Sequence, residues 1–260
     1  LGLYSFPEDR ERMLGLKSMA INANHLRQVP DAVGIFTSLR ELSMTNNDLI
    51  SVSSLIGQLH SLVILNLDNN LLSALPPTLR ALTSLTRLSV MDNQLALLPE
   101  AVRNMTRLKK LFLDSNELRE IPTWIGELES LEEVSVSNNK IGNFPKEFGK
   151  LQKLLDLRVA KNAMTAIPPE LGNASSLTRL RLSGNRFDDL PHKITDLLHL
   201  TDLSVADNAL ARLPAALGMM TQLENLMIAN TPPLFDYVPP DVLTQGVEST
   251  RSFLREVARA

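Results

Sequence analysis

Asparagine returns at one interval along this chain: Asn24, Asn47, Asn70, Asn93, Asn116, Asn139, Asn162, Asn185 and Asn208, each step 23 residues. A compact enzyme core has no use for such a beat. A stack of equivalent coils requires it, because each coil puts the same residue in the same place. The period therefore constrains the architecture before any other property is considered.

Aligned at that period, residues 82–104 carry Leu82, Leu85, Leu88, Val90, Asn93, Leu95, Leu98, Pro99 and Val102. Residues 105–127 repeat the set with Met105, Leu108, Leu111, Leu113, Asn116, Leu118, Ile121, Pro122 and Ile125. The shared pattern is L-x-x-L-x-x-L-x-L-x-x-N-x-L-x-x-L-P-x-x-L-x-x. Its x-L-x-L-x stretch alternates apolar and polar residues, which predicts a short strand with one buried side. Leu88 and Val90 are expected to point inward, and Arg87, Ser89 and Met91 outward. One such strand cannot bury its apolar side alone, whereas stacked coils form a parallel sheet over a continuous leucine core. The asparagine stands where the chain leaves the strand, and its amide can satisfy turn backbone that no ladder serves. The proline after L-x-x-L fixes φ and resists another strand, so short helical or 3-10 turns are expected on the return path.

This pattern resembles the leucine-rich repeat family, over nearly the whole chain. The resemblance implies an α/β, right-handed leucine-rich repeat solenoid: a curved parallel sheet on the concave face, short helical or 3-10 turns on the convex face, and a C-terminal capping helix. The 23-residue form with L-P-x-x-L is similar to the intracellular Ras-group repeats of plants and to animal Ras-binding scaffolds. The segment from Pro239 to Glu248 is similar to the closing segment of the plant members.

The ends depart from the period. Residues 1–12 read as a partial N-terminal repeat, with Leu1 and Arg10 in the Asn and apolar columns, so the chain is expected to be a fragment of something longer. Residues 13–231 form the repeat array, and 232–260 a C-terminal cap. In that cap Val247, Phe253, Leu254 and Val257 fall at helical spacing between Arg251, Arg255 and Arg259, which predicts an amphipathic helix closing the last leucine layer. The unbroken period implies one elongated domain without a linker.

Composition narrows the function. A net charge of −3 and no sustained basic stripe argue against nucleic acid as a partner. No apolar run is long enough to span a membrane. The chain has no cysteine, which favours a reducing, intracellular and cytoplasmic setting over the cysteine-stapled caps of extracellular relatives. The sequence holds no phosphate loop, no dinucleotide-binding glycine motif and no H-E-x-x-H or C-x-x-C, so no cofactor, metal, catalytic residue or small-molecule substrate is expected. His25, His60, His192 and His199 all occupy variable slots and read as solvated residues. Asp188 and Asp189 read as exposed turn carboxylates between Phe187 and Leu190. The sequons at Asn104 and Asn173 are explained by the repeat itself.

What the leucine scaffold leaves free are the outward strand slots. With strands about 4.8 Å apart, ten of them make a face roughly 43 Å long, enough for a protein partner. Two patches stand out. Ile64, Met91 and Phe112 are large and apolar in slots that are mostly small or polar, and Arg87 and Lys110 lie beside them. Apolar anchors framed by cations fit a hot spot; Phe112 lying over its neighbours is the duller alternative. Arg158, Arg179 and Arg181 form the second patch, suited to an acidic or phosphorylated segment. Glu133, Asp156 and Asp202 flank it, so internal ion pairing competes with that reading. Trp124 is either a convex-face contact or a plug over adjacent turns. The expectation is a non-catalytic protein-interaction module or scaffold, in signalling. The alternatives are the recognition part of a kinase, GTPase or ubiquitin ligase, and a structural subunit of a large assembly.

Overall fold

The computed structural model describes residues 14–231, 234 and 237–259. The partial repeat expected over residues 1–12 lies outside them. The chain divides into two compact units, Leu1–Arg119 and Glu120–Ala260.

In the first unit the strands are β1 (Ser18–Ala20), β2 (Gln28–Val29), β3 (Glu41–Ser43), β4 (Ser51–Val52), β5 (Ile64–Asn66), β6 (Arg87–Ser89) and β7 (Lys110–Phe112). β1, β3, β5, β6 and β7 pair in that order, all parallel, and every partner lies 23 residues away. β2 and β4 form a separate two-stranded ladder. The second unit carries β8 (Glu133–Ser135), β9 (Asp156–Arg158), β10 (Arg179–Arg181), β11 (Asp202–Ser204) and β12 (Asn225–Met227), parallel in chain order. Equal register follows from equal repeat length: a slip of one residue would turn each leucine to the opposite face. Leu42, Leu65, Leu88 and Leu111 are wholly buried in the first unit, as are Leu157 and Leu180 in the second.

Between β1 and β12, each described return path carries a five-residue 3-10 turn, such as Glu100–Asn104 and Pro169–Asn173. A proline in extended conformation precedes most of them, at Pro99, Pro122, Pro145, Pro168 and Pro191 for example. Where Ser53 replaces that proline, its hydroxyl accepts from the Leu55 N–H and caps the turn instead. Trp124 is buried in the turn Thr123–Glu127.

The asparagine column does the work its spacing implied. Asn70 Oδ1 accepts from the Leu49 N–H at 3.1 Å, while Nδ2 donates to Met44 O at 3.0 Å and Leu67 O at 2.9 Å. Asn185 repeats this with Met164 N, Val159 O and Leu182 O. One buried amide thus ties its own turn to the preceding coil. At the last turn Thr231 stands in the column, and its hydroxyl keeps one of these bonds, to Ile228 O.

The residue before each asparagine was not singled out by the pattern, yet it is left-handed in every described turn. Ala23, Asn46, Asn69, Asp92, Ser115, Asn138, Lys161, Asp207 and Asn230 have φ between 51° and 56°, and Gly184 has φ 70°. Asn, Asp and Gly tolerate this region, and they hold most of these positions. The column is the one sequence signal that could have revealed the turn geometry.

In the second unit, α1 (Pro240–Thr244) and α2 (Val247–Val257) follow β12. α2 buries Thr250, Arg251 and Leu254. Arg255 Nε donates to Gly218 O at 2.8 Å, and a Cβ on Gly218 would meet the Arg251 carbonyl oxygen at 2.8 Å. The helix therefore closes on the final 3-10 turn only because that position has no side chain.

Candidate binding face

On the strand face of the first unit, Ile64, Arg87 and Lys110 are direct cross-strand neighbours, and Ser89 pairs with Phe112. The Arg87 guanidinium lies over the Phe112 ring, 5.1 Å from its centroid. Ile64, Met91, Lys110 and Phe112 are each partly exposed, and Arg87 is exposed. The structure thus brings Phe112 and Arg87 into contact, and Ile64, Met91 and Lys110 line the same face. Phe112 presents part of its ring while Arg87 covers another part, an arrangement worth about 0.5–1 kcal/mol at an exposed site.

Asp68 lies on this face too, in an outward slot that the repeat pattern does not distinguish. Its Oδ1 accepts from the Ser89 hydroxyl at 2.6 Å and from the Met91 N–H at 2.7 Å. Burial pushes the Asp68 carboxyl above the ordinary carboxylate value of 3.8, against the hydrogen bonds of Ser89, Met91 and Asn66 and the charge of Arg87. Ser89, in an outward slot, is nevertheless fully buried. Its hydroxyl is turned onto Asp68, so an outward slot is not always an open one.

In the second unit, Asp156 and Arg179 are cross-strand partners, as are Arg158 and Arg181. The Asp156 side chain is 1% exposed. Arg158 grips it through Nη2 at 2.7 Å and Nε at 3.2 Å, and Arg179 Nε joins at 2.9 Å. Burial pushes this carboxyl up, but the hydrogen bonds and charges of Arg158 and Arg179 outweigh it and hold Asp156 below its ordinary value of 3.8. Two of the three arginines in this patch are therefore oriented by an internal carboxylate. Arg181 is exposed and takes no part in those ion pairs. Beside it, Asp202 accepts from the Thr201 hydroxyl at 2.7 Å and from Asn225 Nδ2 at 2.8 Å.

The residues set aside as surface groups are on the surface. His25, His60, His192 and His199 are exposed. Asp188 and Asp189 are exposed too, and Asp189 lies 3.7 Å from Arg212. Among the described residues no three His, Cys, Asp or Glu side chains gather to hold a metal ion, and no helix is long and apolar enough to cross a membrane.

The family profile described as Leucine Rich Repeat matches residues 130–151 and 176–197. The chain is a leucine-rich repeat protein. A leucine-rich repeat protein of Leptospira interrogans is 27% identical, with a TM-score of 0.62 over 88% of this chain and 70% of that one. The ectodomain of the plant membrane receptor kinase GASSHO1/SCHENGEN3 from Arabidopsis thaliana, solved in complex with CASPARIAN STRIP INTEGRITY FACTOR 2, is 30% identical, with a TM-score of 0.75 over 82% of this chain. The plant peptide hormone receptor RGFR1, solved in complex with RGF2, is 26% identical, with a TM-score of 0.69 over 83% of this chain. This leucine-rich repeat chain spans only 26% and 40% of those two receptor chains. No curated protein matches the sequence. Leucine-rich repeat proteins are in general protein-interaction modules, and this chain shares their scaffold.

Proposed function

We propose that this chain is a non-catalytic binding module that docks a protein partner on its strand face, in an intracellular signalling setting. The observation that carries the reading is the division of labour within each repeat. The leucines, the asparagine and the proline are consumed by the scaffold, while the outward strand slots differ from coil to coil. Those slots hold Ile64, Arg87, Met91, Lys110 and Phe112 in the first unit and Arg158, Arg179 and Arg181 in the second. Two related solved structures, GASSHO1/SCHENGEN3 with CASPARIAN STRIP INTEGRITY FACTOR 2 and RGFR1 with RGF2, support the use of this scaffold for recognition. The cysteine-free composition supports the intracellular setting, and the 23-residue L-P-x-x-L period supports the Ras-group subclass.

Capture of partners from native extract by the wild-type chain, Phe112→Ala and Arg181→Glu tests the reading. Either substitution should deplete specific partners at least about tenfold, the loss of about 1.4 kcal/mol expected of a hot-spot residue. Retention of every partner by both variants removes the strand face from the account.

A further inference from the structure

Resting on the binding-module reading, one groove in the second unit carries it further. The groove holds about 530 Å³ and runs from Arg181 on β10, past Asp202 and Ser204 on β11, to Asn225, Leu226 and Met227 on β12. Its two ends differ in chemistry. At the β10 end, Arg181 has Arg158 on one side in register and the uncharged Ser204 on the other. Of the nearby acids, Asp156 is paired with Arg158 and Arg179, whereas Asp202 accepts only from the uncharged Thr201 and Asn225 and keeps its charge, so the three arginines exceed these two carboxylates by one. The exposed Arg181 guanidinium thus adds one positive charge to this end, and Arg158 beside it is already turned away onto Asp156. At the β12 end, Met227 is 59% exposed. Leu226 is only partly buried, whereas its equivalents Leu180 and Leu203 are almost wholly so. A polar middle joins the ends: Asn225 donates through Nδ2 to Asp202, which leaves its Oδ1 as an acceptor for a backbone N–H.

We propose that this groove takes an extended acidic peptide, its carboxylate on Arg181 and an aliphatic side chain on Met227 and Leu226. A carboxylate matches the single planar guanidinium in charge and in fork geometry. The exposed thioether and the half-covered leucine supply an adaptable apolar seat. β10 and β12 are two strand spacings apart, about 9.6 Å, and an extended chain advances about 3.3 Å per residue. The two anchors therefore fall three residues apart on a peptide crossing the strands.

The test uses two oriented peptide libraries, each with four randomised positions on either side of one fixed residue, glutamate or glutamine, passed over the whole chain. The glutamate library should be retained at least about tenfold better, with Leu, Ile or Met enriched three residues to one side of the glutamate. Individual selected peptides are then titrated by fluorescence anisotropy. Arg181→Ala should erase the preference for glutamate over glutamine, and Met227→Glu should erase the aliphatic preference; both residues are exposed, and circular dichroism checks the fold. Equal retention of the two libraries, no retention of either, or a glutamate preference that survives Arg181→Ala overturns the proposal. A phosphoserine library retained more than about tenfold better than glutamate overturns the carboxylate assignment. Should the groove fail while Phe112→Ala still strips partners in the capture experiment, the binding-module reading stands and only the acidic peptide falls.

Discussion

On β6 and β7 of the first unit, Arg87 stacks on Phe112 and a half-buried Asp68 is held among Ser89, Met91 and Asn66. On β9 and β10 of the second, the same kinds of slot hold Asp156 clamped by Arg158 and Arg179. Backbone, register and leucine core are alike in the two regions, so the contrast isolates the outward side chains. It teaches that one scaffold imposes opposite electrostatics on two carboxylates. Asp68 loses water without gaining a full ion pair, and its carboxyl is pushed up. Asp156 also loses water but gains two guanidiniums, and its carboxyl is held down. Of the three arginines on β9 and β10, Arg158 and Arg179 are committed to Asp156, and the exposed Arg181 takes no part in those ion pairs.

The sharpest way to break this contrast is to remove the buried acid. Asp156→Ala should cost about 2–3 kcal/mol in urea unfolding, below the roughly 3–5 of a fully buried pair because the arginines keep partial solvent. Arg87→Ala in the other region should cost only about 0.5–1 kcal/mol. Equal losses would mean that the two patches are energetically the same.

The scaffold, by contrast, should not tell the regions apart. Asn93→Ala and Asn185→Ala each strand buried backbone partners and should each cost about 1–3 kcal/mol, equal within error. A difference between them beyond about 1 kcal/mol would show that the coils are not equivalent.

A smaller effect probes the left-handed column. Lys161 has φ 53° with no Asn, Asp or Gly advantage. Lys161→Gly should raise the thermal midpoint, with a gain of about 0.5–1 kcal/mol after the entropy of the unfolded glycine is deducted. Asn138→Gly at the matching turn should change little.

The smallest effect has a sign that is easy to read. The share of stability tied to Asp68 is fully present below its ordinary pKa of 3.8 and is lost as pH rises through the raised folded value. The share tied to Asp156 is present above 3.8 and is lost as pH falls through the lowered folded value. Unfolding of the wild type, Asp68→Asn and Asp156→Asn between neutral pH and about pH 3 checks both signs. On acidification the wild type should gain on Asp68→Asn and lose its lead over Asp156→Asn. Parallel curves would remove the electrostatic contrast between the two regions.

The period alone determined which residues enter the main parallel sheet and which leucine columns are buried, because identical coils repeat identical local rules; the short β2–β4 ladder was not in the pattern. Strand register, the 3-10 turns after proline and the asparagine amide's bonds to turn backbone were legible in this way, whereas the Asn70 bridge to the preceding coil came from the structure. The left-handed residue before each asparagine left a trace in composition, but Lys161, Ser115 and Ala23 blur it. Only the tertiary structure decided the state of the outward slots. Ser89 is buried, Asp156 is shared by two arginines and Met227 stands open. An outward side chain is covered, paired or exposed according to the neighbours that stacking delivers from 23 residues away, and no local pattern records the rotamer each neighbour adopts.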